Sequence, residues 1–189
     1  MVFTKSKFAL SSDGNTLYLL NGDIIIIKDR RTGAQRRIPL PVGFPEISWA
    51  SDLAYDTSRN ILSLISFGGE GFFYRFDTKN EKWIDYYSMK NIDVKALAYD
   101  SGLDKYLAWA NPGLLLFLSP DGQLLSKHKL TEILPGFKRL ASDYEVPILR
   151  VIPNAKNIGM VAFDHNDSVK YIWYYSVDSQ KALLTYKSQ

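Results

Sequence analysis

The side chains best suited to chemistry stand in one short stretch, "FDHNDS", where Asp164, His165, Asn166 and Asp167 offer the oxygen and nitrogen donors that hold metal ions. The spacing lacks the glycine and the distal glutamate of a calcium loop. His128 is the only other histidine, too few for a histidine-based transition-metal site. Asp and Asn in such a run bond to their own backbone and make turns, so the plainer reading is a turn that presents Asp164 and His165 at a surface. No metal and no other cofactor is expected.

Other reactive constellations are as thin. Cysteine is absent, which removes disulfides, thiolate-metal sites and a cysteine nucleophile. There is no Gly-x-Ser-x-Gly elbow, and "GGEG" at 68–71 lacks the Lys-Ser/Thr of a phosphate-cradling loop. A carboxylate pair, Glu70 with Asp164, is the arrangement that keeps acid–base catalysis open. The run "KDRRTGAQRR" gathers Lys28, Arg30, Arg31, Arg36 and Arg37, the best case for an acidic partner. No aromatic interleaves these cations, as single-stranded nucleic acid would need, and a formal charge of +3 falls short of a nucleic-acid binder. The plainer reading is a solvated hairpin tip whose charges also discourage edge-to-edge pairing.

The elements that must position these residues repeat. "LAYDTSRNILSLI" begins at Leu53 and "LAYDSGLDKYLAW" at Leu97, 44 positions on, a period within the range of propellers and other arrays. Apolar residues alternate in short runs, and turn residues separate the runs. Four units result, over about 7–41, 47–89, 94–130 and 146–188, each of four strands, with an insertion at 131–145 allowing at most a short helical turn. Leu10, Tyr55, Tyr99 and Ile152 mark the end of the first strand in each unit. The fold class expected is all-β, a β-propeller or propeller arc of four antiparallel four-stranded blades. Continuous runs such as "IIII" and "LLLFL" fit blades covered on both faces.

Within the second unit, "FGGEGFFYRFDTKNEKWIDYYSM" is similar to the Kelch repeat, in Gly68-Gly69, Phe76-Asp77, Trp83 and Met89. The resemblance implies a turn at the paired glycines, a hairpin opened by Asp77 and an indole filling the gap between blades. The other three units match only as generic propeller meander.

In propellers, loops between second and third strands and loops joining successive blades share one face. That face would gather Phe44, Trp49, Glu70, Asn111, Arg139, Asp164 and His165. In "PVGFPEISW" prolines and glycine stiffen a loop that carries two large rings, a combination suited to recognition. The function expected is a non-catalytic scaffold for protein–protein interaction. The alternative is a carbohydrate or small-molecule binder, or a hydrolytic enzyme, using the same loop face. A protein partner is expected, with self-association through apolar flanks of the first and last units, and neither nucleic acid nor membrane. No signal peptide or membrane span is read, so the chain is expected to be soluble, with its compartment open.

Overall fold

Four strands end on an aspartate that turns the chain with its own carboxylate. Oδ1 of Asp29 accepts the N–H groups of Arg31 and Thr32, and Asp56 does the same for Ser58 and Arg59. Asp77 takes Lys79 and Asn80, and Asp100 takes Gly102 and Leu103. These Asx turns satisfy N–H groups that the ladders leave over, so each hairpin closes on a local signal.

The computed structural model describes residues 8–47, 50–66, 70–90, 92–135, 148–152, 157–163 and 169–187, with side chains at all of these except 50, 51, 148–152, 162, 163, 169 and 170. Four four-stranded sheets follow one another along the chain. Sheet 1 is β1 (Phe8–Leu10), β2 (Thr16–Asn21), β3 (Ile24–Asp29) and β4 (Gln35–Pro39). Sheet 2 is β5 (Ala50–Asp56), β6 (Ile61–Ser66), β7 (Phe72–Asp77) and β8 (Lys82–Ser88). Sheet 3 is β9 (Asp93–Asp100), β10 (Lys105–Asn111), β11 (Leu114–Leu118) and β12 (Leu124–Lys129), after which α1 (Leu130–Ile133) makes one turn. Sheet 4 is β13 (Ile148–Ile152), β14 (Asn157–Phe163), β15 (Val169–Ser176) and β16 (Lys181–Lys187). Every sheet keeps sequence order, the meander read from the repeat. Among the described residues no helix is long and apolar enough to cross a membrane.

Register corrects one equivalence. Leu10 pairs with Leu17 and Tyr55 with Leu62, each across six intervening residues. In sheet 4 that relationship belongs to Val151 and Ile158, while Ile152 pairs with Asn157 as Asp56 pairs with Ile61. Ile152 therefore occupies the place of Asp56, one step beyond the place of Tyr55. In a strand one step changes the face.

The chain divides into two compact units, Met1–Val94 and Lys95–Gln189. In the first, Tyr18, Leu20, Ile25 and Ile27 of sheet 1 pack against Leu53, Leu62, Leu64, Tyr74 and Phe76 of sheet 2. In the second, Leu107, Trp109, Leu115 and Phe117 of sheet 3 pack against Ile158, Met160, Trp173 and Tyr175 of sheet 4, with Leu130 and Leu134 closing the cluster. β6 and β10 are buried at five successive positions and β11, the "LLLFL" run, at four, as strands covered on both faces are. "IIII" behaves differently: Ile25 and Ile27 are buried while Ile24 and Ile26 are half-exposed, so sheet 1 has one covered face and one open one.

Candidate interaction surface

The loop between β4 and β5 is held at both ends by one residue. The backbone oxygen of Asp23 accepts Leu40 N–H at 2.7 Å, and its carboxylate accepts Ile47 N–H at 2.7 Å. Between these pins Phe44 N–H closes a turn onto Pro41 O, and Gly43 takes φ +93°, where a side chain would be strained. The buried Tyr74 hydroxyl donates to Pro45 O at 3.1 Å from beneath. Burial pushes the Tyr74 hydroxyl pKa up, so it stays a protonated donor.

This frame presents apolar groups outward. The Phe44 ring lies 5.0 Å from Tyr86 and 6.2 Å from Trp83, and Phe72 lies 5.9 Å from Tyr86, all tilted or edge-on. Such contacts fix the rings at low entropic cost. Phe44 and Phe72 are half-buried, Tyr86 is exposed, and Val42 at the loop tip is fully exposed. A rigid loop with its valine in water beside fixed aromatics has the composition of a recognition surface.

Of the residues singled out in the sequence, Phe44 lies at the centre of this cluster. Glu70 is exposed two residues before Phe72, at the same end of β7. Asn111 is half-buried at the end of β10, in the Lys95–Gln189 unit. Trp49, Arg139, Asp164 and His165 lie outside the described residues, as do Gly68 and Gly69. Among the described residues no three His, Asp or Glu side chains gather into a metal site. Sequence reasoning missed Val42, Phe72 and Tyr86. The signal for Tyr86 was its place in "KWIDYYSM": register sets it opposite Tyr74, on the face that packs toward sheet 1.

The basic run is a hairpin tip. Asp29 and Gly33, at φ +75°, make its turn, Arg30 donates to Gly14 O, and Arg36 is ion-paired with Glu81 in the turn between β7 and β8.

No protein-family model matches the chain, and no curated protein does. Many solved structures are similar to it, among them the following two. The structure of U3-55K matches with a TM-score of 0.72 at 11% identity, over 100% of this chain and 54% of that one. The crystal structure of the RRP9 WD40 repeats matches with a TM-score of 0.64 at 10% identity, over 98% of this chain and 52% of that one. The class that the fold defines is the β-propeller, with the four sheets as its blades. The likeness is to part of a WD40 propeller: the chain spans about half the length of these structures, and the Kelch resemblance of the second unit is not supported. Two of the features behind that resemblance have local roles. Asp77 makes an Asx turn, and Trp83 bonds across to Pro39.

Proposed function

We propose that this chain is a protein-interaction scaffold whose recognition surface is the linking-loop rim of its Met1–Val94 unit. The observation that carries the reading is the pinned 40–47 loop, which holds Val42 in solvent and Phe44 against the exposed Tyr86. Exposed apolar side chains on a loop fixed at both ends lose little entropy on binding. Glu46 and Glu70 are exposed beside the aromatics in sequence and supply carboxylates. The partner segment that fits is an apolar or aromatic residue next to Arg or Lys.

Selection from a displayed random-peptide library tests this. Enriched peptides should carry that pair of residues and should lose binding to Tyr86→Ala. Enrichment indifferent to Tyr86, or binding to a glycan array without peptide selection, overturns the reading and favours the carbohydrate alternative.

A further inference from the structure

The open face of sheet 1 is built like a face that is covered elsewhere in the same molecule. Register makes Leu10, Leu17, Leu19 and Ile26 the counterparts of Tyr55, Leu62, Leu64 and Tyr74, and the latter set is how sheet 2 packs onto sheet 1. On sheet 1 this face has no such cover among the described residues: Phe8 is 60% and Leu10 41% exposed, and Leu17, Leu19, Ile24 and Ile26 are half-exposed. An apolar sheet face of this extent marks an interface.

The face that should lie on it is also present. Within each unit the second sheet meets the matching side of the first: Tyr18, Leu20, Ile25 and Ile27 in sheet 1, and Leu107, Trp109, Leu115 and Phe117 in sheet 3. Sheet 4 uses its Ile158–Trp173–Tyr175 side on sheet 3, which leaves the opposite side outward. That side carries Val161, Ile172, Tyr174 and Leu183, with Tyr174 43% and Leu183 72% exposed.

We infer that a second copy of this chain docks the Tyr174–Leu183 face of its sheet 4 on the Phe8–Ile26 face of sheet 1. The contact repeats, between copies, the sheet-on-sheet relation seen within each unit. Each copy carries both faces, so a pair offers the same contact a second time with the roles of the copies exchanged. The similar solved structures are each about twice the length of this chain, and two copies supply about that length. The faces are aliphatic and aromatic, with charge confined to positions such as Lys28 and Arg37. That suits a sheet face and not a polyanion.

Sedimentation or light scattering over a dilution series, on wild type and two variants, tests the inference. Wild type should show twice the 21.5 kDa of one chain. Leu19→Glu and Leu183→Arg should each weaken the pair by roughly tenfold or more. Mixed together they should pair again, because the mixed dimer has one unaltered contact and one with a carboxylate facing a guanidinium. Leu183 is 72% exposed, so its variant keeps the fold, which circular dichroism verifies. One-chain mass for wild type at every concentration overturns the inference and leaves these faces to another polypeptide. A dimer that ignores Leu183→Arg overturns it too, since sheet 1 would then be pairing with itself.

Discussion

The Trp83 indole donates its Nε1–H to the Pro39 carbonyl oxygen at 2.9 Å, tying the last strand of sheet 2 to the last strand of sheet 1. The same ring lies 5.5 Å from Phe76 and 6.2 Å from Phe44, so one side chain links the two sheets and the recognition loop. Trp83→Phe keeps most of the ring and removes the bond, and should cost about 1 kcal/mol. Trp83→Ala also opens a cavity beneath Phe44 and should cost about 3 kcal/mol, at the low end for an aromatic because the indole is only half-buried. Urea unfolding checks both. Equal costs would mean that the ring contacts carry nothing.

Two matched turns differ in one partner. Asp56 is buried and its Oδ2 is held by Arg59 Nη1 at 3.0 Å. Asp100 is equally buried, but Leu103 stands where Arg59 would, and its Oδ2 has no hydrogen-bond partner among the described residues. Arg59→Leu should therefore give sheet 2 the arrangement of sheet 3, at a cost of about 1 kcal/mol, kept small because the guanidinium is 41% exposed and screened. Added salt should shrink the difference. An unchanged urea midpoint would show that the Asp56 carboxylate needs no cation.

Acid should weaken the fold through its turn aspartates. Hydrogen bonds from the Ser11 hydroxyl and the Asn15 amides bring the Asp13 pKa from 3.8 to about 2. Backbone N–H groups lower those of Asp29 and Asp77, and the Arg75 guanidinium lowers that of Asp85. A carboxyl with a folded pKa below its unfolded one contributes stability above the unfolded value and loses it as pH falls through the folded value. The expected result is stability that is level in these groups above about pH 5 and declines from about pH 4 toward pH 2. Carboxyl NMR titration should place Asp13 near its folded value of about 2, and a midpoint close to 3.8 would refute the turn geometry.

Strands and turns were legible because both signals are local. Alternation and the strand-ending aspartates specify each hairpin without reference to the rest of the chain. What was not legible depends on which face is covered. β7 carries large rings on both sides, so its pattern does not say that Tyr74 faces sheet 1 while Phe73 does not. Ile152 does end β13, but residue type alone does not set its register, and hydrogen bonding places it opposite Asn157. Phe44 was legible as a large ring in a stiff loop. Its partner Tyr86 lies 42 positions on, and only strand pairing brings it near.

The claim that this propeller binds proteins through the 40–47 loop rim is tested most directly at Val42, which is fully exposed at the loop tip. A photo-crosslinking amino acid placed there, with another at Lys127 of β12 as a control, reports what touches the rim. A polypeptide adduct is expected from position 42 alone. The purified partner should then bind wild type at least roughly tenfold more tightly than Tyr86→Ala in calorimetry. Adducts from Lys127 but not Val42, or a partner that binds Tyr86→Ala as tightly as wild type, would contradict it.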